Sequence, residues 1–437
     1  MNKIQPGRPG RAKKNTGLER RIYNVMLLAA FIALALNLRA PLTSLPSAIA
    51  DIRADLGISS GIAGLLTAIP VFCFGILAPF ASLILARVSI ERAVFITLCA
   101  IVSGTLLRSA GGLMAILAGT FVLGAALTLG NIVSLMVIAR DFSRRSGVMT
   151  GVYVMAMSVG AMLSSAFTAP LASAVGWRFA LAGWCILALL AMVLWAGVAY
   201  LAAHKASAPH IDYHSRPRRA PVVSRAQSDI GASAPANDSA GRRPVAWLLA
   251  AAFACHTFIF YGMTAWLPDY LVQRGGMNIN QAGFAASLFQ ILGMVGCFGI
   301  PWLSSSMHLS HARLFLIVAI AWFILPVGLI TAPEGCFLWI FFGGIGAGGG
   351  FSVVFMLVMA HARNLDDNRA MSSFVQGAGY IVASASPAVI GALHQLAGDW
   401  RPSFILLALV AVMMAASGFC AAGDKKEGKD SEHIRRP

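Results

Sequence analysis

Arg39 is the residue of this chain best suited to bind an anion. It lies inside the first long apolar stretch, where a guanidinium in a membrane span would cost ~2.5 kcal/mol or more and so marks a functional site by default. No Asp or Glu lies clearly within an apolar stretch, and Asp269 only reaches the end of one. An anionic or strongly dipolar ligand would supply the missing partner, which the planar guanidinium can bind through two hydrogen bonds. The alternative is that the helix ends at Pro41 and Arg39 extends to the membrane surface.

Seven further polar or aromatic residues inside apolar stretches are candidates for lining the same binding site. Gln376 and Tyr380, for example, lie four residues apart and therefore share one face of a helix. The alternative for these side chains is hydrogen bonding between helices, without contact to a ligand. The seven substrate-binding candidates are Asn131, Tyr153, Tyr261, Trp266, Gln290, Gln376 and Tyr380.

Two nearby polar residues are expected to lie outside that site. His256 is five residues from Tyr261 and points to another side of the helix, so we expect it to pack against a neighbouring helix. Asn37 is rotated away from Arg39 in the same manner and is expected to form a hydrogen bond between helices.

Two clusters of charged residues follow apolar stretches and are candidates for gating. Arg140 and Arg144 follow the fourth stretch, and Arg363 and Asp367 follow the tenth. Such clusters can latch two halves of a protein together in an outward-open state. Membrane orientation and surface solvation explain the same charges equally well.

The composition excludes an ordinary soluble enzyme, a disordered chain and a fibre. Of 437 residues, 58% are hydrophobic and only 11% are charged, and the mean hydropathy is +0.75. Soluble globular domains carry roughly 25% charged residues. The chain is therefore predicted to be an all-α membrane protein that crosses the bilayer many times.

Apolar runs between charged residues predict twelve transmembrane helices. They divide the chain into a cytoplasmic tail at 1–21, a six-helix bundle at 22–202, a cytoplasmic linker at 203–244, a second six-helix bundle at 245–422 and a cytoplasmic tail at 423–437. The linker is rich in Pro, Ser, Ala and Arg and has no apolar period, which is typical of a flexible segment. The first of the twelve spans is expected at 22–48 and the second at 61–85, each as one continuous helix.

The net charge of +16 is explained by membrane orientation. Most basic residues fall in the tails, the linker and alternate loops, which places both termini in the cytoplasm of a plasma or inner membrane. A nucleic-acid partner is therefore not expected, and the basic linker is suited to contact anionic lipid. The outer loops are predicted to hold only five basic residues: Arg53, Arg108, Arg178, Arg274 and Arg401.

The two halves carry an internal repeat. The segment ARDFSRRSG at Ala139 matches ARNLDDNRA at Ala362, and GWRFAL at Gly176 matches DWRPSF at Asp399, both with an offset of 223 residues. An offset of 222 places Tyr261 at the position that Arg39 occupies in the first half. Parallel repeats of this kind have their substrate site between the halves near the middle of the membrane, so we expect Arg39 and Tyr261 to face one another.

No cofactor, metal site or catalytic group is expected. The run GGIGAGGG that starts at Gly343 lies within an apolar stretch, without the preceding strand or following Lys of a phosphate loop. Close helix packing or local unwinding of the helix explains it better. The seven cysteines show no metal-ligand spacing and are expected to be small core residues.

With these residues in view, the chain resembles the major facilitator superfamily and, within it, the cyanate permease and nitroimidazole transporter family. The matching segments are NLRAPLTSLP, GLLTAIPVFCFGILAPFASLILARVSIERA, ARDFSRRSGVMTG, GWRFAL and YGMTAWLPDYL. The resemblance implies twelve helices around a central cavity and places Arg39 on the family's basic residue of the first span. One departure is that Ala86 precedes Arg87 where the superfamily usually has Asp, which puts a gating contact at that acid in doubt.

The function expected from these observations is secondary transport, not enzyme catalysis. The substrate is a small anionic or polar solute, such as a cyanate-like anion or a nitroimidazole-like compound, moved by alternating access in a monomer. A multidrug or toxic-compound exporter of the same fold is the near alternative, and a membrane sensor that does not transport is the distant one. Proton coupling is left open, because only His256 or His361 could replace the missing carboxylate.

Overall fold

The computed structural model describes residues 10–85, 87–206 and 243–433, and the residues it describes form helices joined by short connections. The tail at 1–9 and most of the expected linker at 203–244 lie outside this part. The helices are α1 Gly10–Asn37, α2 Ala40–Ser47, α3 Ile49–Leu56, α4 Ser60–Ile76, α5 Ala78–Leu85, α6 Ile90–Ser109, α7 Leu113–Asp141, α8 Ser146–Val175, α9 Trp177–Gly183, α10 Cys185–Ala206, α11 Pro244–Gln273, α12 Ile279–Ser306, α13 His311–Thr331, α14 Cys336–His361, α15 Leu365–Ser384, α16 Ser386–Ala397 and α17 Arg401–His433.

Eleven of the described segments are long and apolar enough to cross a membrane, and the shorter apolar helix α4 supplies a further crossing together with α5. The predicted span at 61–85 is thus divided into two helices, and the span at 22–48 is divided into α1 and α2. The twelve-helix, all-α fold expected from composition is confirmed. We call the end of the bundle where α1 and α11 begin the terminal end, and the opposite end the far end.

Several helices begin where a short polar side chain can replace the missing helical hydrogen bonds. Ser59, Ser89 and Ser310 accept hydrogen bonds from backbone N–H groups three residues later. Asn278 forms a reciprocal capping box with Gln281. These caps stabilise the first turns that emerge from the apolar bundle, where the N–H groups would otherwise lack partners.

Packing between the two sequence halves depends on small residues in facing helices. Gly64 of α4 contacts the Pro387 carbonyl at the start of α16, leaving no space for a Cβ, and Gly283 of α12 lies against the Ser165 carbonyl of α8. Small residues let helix backbones approach closely, which is the main source of helix association in lipid. The halves therefore meet along α4 with α16 and along α8 with α12.

The first span is broken beside Arg39. Helix α1 ends at Asn37, and α2 begins at Ala40 with Pro41 in its first turn. Proline is well suited to the start of a helix, since it has no N–H to leave unpaired. Gly160 of α8 abuts the Leu36 carbonyl, and the Thr43 and Ser164 hydroxyls share a hydrogen bond of 2.6 Å. Helix α8 thus fixes both sides of the break.

The glycine-rich run of the tenth span forms part of a continuous helix, α14. Gly348 contacts the Gly293 carbonyl of α12, and Gly296 of α12 contacts the Ile345 carbonyl of α14. Neither glycine can carry a Cβ without movement of the neighbouring backbone. The expectation of close packing is confirmed, and the run holds α12 and α14 together.

This packing predicts that Gly296→Ala lowers the thermal unfolding midpoint, because the added Cβ would overlap the Ile345 carbonyl. Overpacking of this kind costs about 1–3 kcal/mol. Gly299→Ala is the matched control on the same helix, since a Cβ there meets nothing within 4 Å and Ala favours helix by about 1 kcal/mol. Equal midpoints for the two purified variants would contradict the close contact of α12 and α14.

Candidate functional site

Arg39 occupies the interruption between α1 and α2, where it is the residue before the first helical position of α2. Its side chain is half-buried, and its guanidinium lies over the Phe260 ring of α11 at 5.3 Å from the ring centroid. Among the residues that the structure describes, Arg39 forms no ion pair. Its N–H edges are therefore left for another acceptor.

Three tyrosines from three different helices lie near this guanidinium. Tyr153 of α8, Tyr261 of α11 and Tyr380 of α15 all lie within electrostatic range of the Arg39 charge. The Tyr261 and Tyr380 rings pack edge to face with centroids 6.4 Å apart. The structure thus brings Tyr261 close to Arg39, as the repeat offset of 222 predicts, and joins it to two tyrosines from other spans.

Asn131 and Gln376 extend this group of polar side chains. The Tyr153 hydroxyl donates a hydrogen bond of 2.6 Å to Asn131 Oδ1 on α7. Gln376 lies one helical turn before Tyr380 on α15, and both side chains are partly exposed. We call the six residues of this group the Arg39 cluster: Arg39, Asn131, Tyr153, Tyr261, Gln376 and Tyr380.

Trp266 and Gln290 are placed differently from the cluster. Trp266 is fully buried, donates a 2.7 Å hydrogen bond to the Pro387 carbonyl and packs against Trp400. It therefore closes the far end of the second half, and we do not include it in the binding site. Gln290 is buried on α12 at 7% exposure, and within the described part of the chain its side chain forms no hydrogen bond to the cluster.

His256 and Asn37, the two polar residues expected to lie outside the site, form hydrogen bonds elsewhere, but the partner of Asn37 differs from the predicted one. His256 Nδ1 accepts a 2.9 Å hydrogen bond from Trp322 Nε1 of α13, so the predicted packing against another helix is confirmed. Asn37 instead donates to the Ala33 carbonyl of its own helix at 2.8 Å. The prediction of a hydrogen bond between helices is therefore wrong for Asn37, because a carbonyl one turn back is nearer.

The chemistry of the cluster favours an anion or a strongly dipolar molecule. A guanidinium has five N–H donors, and none of those of Arg39 has a protein acceptor in the described part of the chain. Tyr261 and Tyr380, within electrostatic range of this charge, carry phenol hydroxyls that can donate hydrogen bonds, and the Phe260 ring supplies a flat apolar wall. No carboxylate of the described residues pairs with Arg39 to compete with a ligand for it.

The charged clusters at the terminal end pair within each half. Arg140 forms ion pairs with Asp141 and with Glu91 of α6. Asp367 pairs with Arg243 at 3.0 Å and accepts a hydrogen bond from the Arg363 backbone N–H at 2.8 Å. The side chain of Arg144 lies outside the described part. A latch between the halves at these clusters stays a prediction.

The two halves are connected by polar contacts at the far end. Arg53 of α3 pairs with Asp269 of α11 at 3.4 Å, and the Ser60 backbone N–H donates to Gln395 Oε1 of α16 at 3.0 Å. The Asp269 side chain is only 4% exposed, so this pair is shielded from solvent on one side. These contacts close the far end above the Arg39 cluster.

Arg108 was expected in an outer loop, and this prediction is wrong. It lies in the last turn of α6 at 1% exposure, with its guanidinium donating to the Pro41 carbonyl at 2.8 Å and to the Ser44 hydroxyl at 3.3 Å. In the sequence, Arg108 lies near the end of the apolar stretch at 93–110. An Arg within an apolar run could therefore have indicated that Arg108 is buried. Because Arg108 lies near the end of the run, the sequence was equally consistent with a loop position.

The far-end contacts predict that Arg53→Ala loosens the closure. Loss of this partly exposed pair removes about 1 kcal/mol, which is about fivefold in an opening equilibrium. Amide hydrogen exchange in α3 and α16 should become faster by a similar factor in the purified variant. Arg178→Ala is the control, since Arg178 pairs with Asp55 of its own half at 2.8 Å. Unchanged exchange in Arg53→Ala, or equal exchange in both variants, would argue against a closure at this pair.

Comparison with curated proteins gives relatives that cover almost the whole chain. The chain is 27% identical to the 2-nitroimidazole transporter of Escherichia coli over 407 residues, covering 92% of this chain and 96% of that protein. It is 26% identical to the cyanate transport protein CynX of Escherichia coli over 404 residues, covering 90% and 97%. These relatives are named as transporters.

The fold is shared with solved membrane proteins. A bacterial homolog of the human lysosomal transporter Spinster, solved in an inward-facing and unoccupied conformation, superposes with a TM-score of 0.71 at 15% identity, over 92% of this chain and 97% of that chain. The sequence model of the Major Facilitator Superfamily matches residues 25–364. The chain, with its multi-span helical fold and its transporter relatives, therefore belongs to the Major Facilitator Superfamily.

Proposed function

We propose that this transporter moves a small anionic or strongly dipolar solute and binds it at Arg39. The observation that carries the proposal is a guanidinium at a helix break, among three tyrosines, without an acidic partner in the described residues. A half-buried cation without an acidic partner carries part of the cost of burying a charge, and a ligand with negative charge or a strong dipole reduces that cost. Relief of that cost on binding adds to the free energy of ligand binding.

Planar ligands suit the proposed site best. The guanidinium offers parallel N–H donors to two acceptor atoms of one plane, while Phe260 and the tyrosine rings provide flat faces. The nitro group of a nitroimidazole-like compound has two such acceptors in one plane, and a cyanate-like anion is small and carries a negative charge; two relatives carry names of that kind. We therefore favour these two substrate classes over large amphipathic drugs, for which an exporter of the same fold is the second candidate.

The transport cycle follows from the placement of the cluster between the halves. Arg39 belongs to the first half, whereas Tyr261 and Tyr380 belong to the second. A rocking motion of one half against the other opens the cluster to alternate sides, as in transporters built from parallel repeats. With both termini in the cytoplasm, the far end faces outward, and the Arg53 to Asp269 contact closes the outer side.

The two-residue break between α1 and α2 lies at the boundary that moves in this cycle. The Leu38 N–H bonds to the Ala35 carbonyl as in a turn, and the Arg39 carbonyl accepts from the Leu42 and Thr43 N–H groups at the start of α2, while α8 holds both sides of the break within the first half. Ligand binding at the break would then favour the arrangement of the two halves in which Arg39 and Tyr261 contact the ligand together. Only a ligand that binds the two states differently can shift their populations.

Proton coupling through histidine is not part of the proposal. His256 is buried against Trp322, and His361 lies at the terminal end of α14 near the Leu357 carbonyl. Neither side chain faces the Arg39 cluster. We propose instead that the membrane potential and the substrate gradient act on the charge of the solute itself, and a potential-dependent flux at constant pH in proteoliposomes would support this.

Arg39→Met is expected to reduce transport by about 10- to 100-fold, because a charged hydrogen bond contributes about 1.5–3 kcal/mol and 1.4 kcal/mol is tenfold. The measurement is uptake of labelled cyanate and of 2-nitroimidazole, separately, into proteoliposomes. Arg39→Lys should recover part of the rate, since the charge remains but the planar pair of donors is lost.

Arg178→Met is the matched control, because it removes one positive charge of the same half from an exposed pair at the far end. Equal insertion of all variants is checked by the amount of protein recovered in the membrane. Full transport by Arg39→Met would overturn the proposed role of Arg39. Saturable binding of either compound without counterflow would support a sensor instead of a transporter.

A further inference from the structure

A groove with a volume of about 150 Å³ lies between α13 and α17 in the second half. Its lining extends from Phe323 to Thr331 on α13 and from Ile405 to Val412 on α17. The one hydroxyl among the lining side chains, that of Thr331, donates to the Val327 carbonyl at 2.9 Å. Apolar cavities of this size stay free of water and accept apolar molecules. The groove therefore suits an apolar occupant.

The groove is open to the outside of the bundle and extends over about one leaflet of a membrane. Ile405, Leu409 and Val412 are each about half exposed. Phe323 and Thr331 are eight residues apart, which is ~12 Å along a helix, and the hydrocarbon of one leaflet is ~15 Å thick. Since α13 ends at Thr331, at the far end, the mouth of the groove lies where the helices leave the hydrocarbon.

Arg401 lies on the same face of α17 as the groove. Ile405, Ala408 and Val412 follow it by four, seven and eleven residues, which is the spacing of one helical face. The Arg401 side chain is 66% exposed, and its ion pair within the described residues is a loose one, from Nε to Asp399 at 3.7 Å. Its two terminal nitrogens are therefore left for an acceptor at the mouth of the groove.

The charged residues around this mouth balance one another. Asp399 also pairs with Arg274 at 3.2 Å, and Glu334 follows α13 in the short connection to α14. With Arg401, these groups have two positive and two negative charges. The mouth therefore does not require a headgroup with net charge, but it offers Arg401 to the phosphate that every phospholipid carries.

We propose that this groove binds one phospholipid molecule, with part of one acyl chain between α13 and α17 and the phosphate at Arg401. The surrounding lipid is as apolar as the groove, so the hydrophobic effect does not favour the groove over the bulk membrane. Binding depends instead on van der Waals contact along the groove and on charge-assisted hydrogen bonds, which a guanidinium can donate to a phosphate in pairs.

The related arginine of the first half is already engaged within the protein. The repeat offset of 223 places Arg178 at the position of Arg401. Arg178 pairs with Asp55 at 2.8 Å, and its guanidinium lies over the Trp177 ring at 4.4 Å from the centroid. Its charge and its flat face both have partners, so we do not expect it to hold a lipid phosphate. Arg178 is therefore a matched control.

The test is the thermal unfolding midpoint of the delipidated full-length protein in detergent, measured as dioleoyl phosphatidylethanolamine is added. This lipid has no net charge and so does not act through the overall positive charge of the protein. We expect the midpoint to rise and saturate, because a ligand that binds only the folded state stabilises it by mass action. A galactosyl diacylglycerol with the same chains lacks the phosphate and should need at least fivefold more lipid for half-saturation. Equal responses to the two lipids, or no saturable rise, would overturn the proposal.

Substitutions locate the lipid. Ala408→Phe fills the groove and should remove the saturable rise, whereas Met413→Phe, at a position on α17 that is 62% exposed and outside the groove lining, should keep it. Arg401→Gln should raise the half-saturating lipid concentration at least fivefold, and Arg178→Gln should leave it within twofold. If Ala408→Phe fails to fold, Arg401→Gln against Arg178→Gln decides. An unchanged lipid response in Arg401→Gln would overturn the site.

A second copy of the chain is the competing occupant of the groove. Light scattering of the purified protein, corrected for detergent, gives the mass of the particle with and without the lipid. A monomer under both conditions, together with the saturable rise, supports the lipid. A dimer that is lost in Ala408→Phe but kept in Met413→Phe would assign the groove to self-association and overturn the proposal.

Discussion

The organisation of this protein depends on positive charge held in a place with low dielectric constant and no fixed counter-charge. The Arg39 guanidinium rests on the Phe260 ring, and its N–H groups have no acidic partner in the described structure. Interactions between charges are several times stronger in such surroundings than in water. The helix break and the three tyrosines lie near this charge, and no carboxylate of the described residues pairs with it.

Close helix contacts provide the rigid frame that such a site needs. Gly64, Gly160 and Gly283 let neighbouring backbones approach around the first span and between the halves, and Gly296 and Gly348 do the same for α12 and α14. Because lipid gives little hydrophobic driving force between helices, contact of this kind and its van der Waals attraction carry much of the association. These close contacts lie on both sides of the interruption beside Arg39.

Sequence reasoning recovered the fold class and much of the cluster, because apolar length and repeat offset are properties of residue order. Tyr261 was located by the 222-residue offset from Arg39, Tyr153 by the 223-residue offset from Gln376, and Tyr380 by its place in a polar stripe of an apolar run. Trp266 was proposed as a binding residue but is buried with a backbone hydrogen-bond partner. The local sequence does not distinguish a buried indole of this kind from an indole that faces a ligand. Arg108 was missed for a related reason: only tertiary contacts with Pro41 and Ser44 distinguish the buried end of a span from a loop.

The repeat is unequal at the position that matters most. The first half has Arg39 at a break, whereas the second has Tyr261 within the unbroken helix α11. A hypothetical ancestor with Arg at both positions would have placed two like charges across the same axis, and its empty site would have suffered mutual repulsion. Divergence of one copy to tyrosine therefore leaves a single positive charge at these two related positions, and it makes the two halves no longer interchangeable.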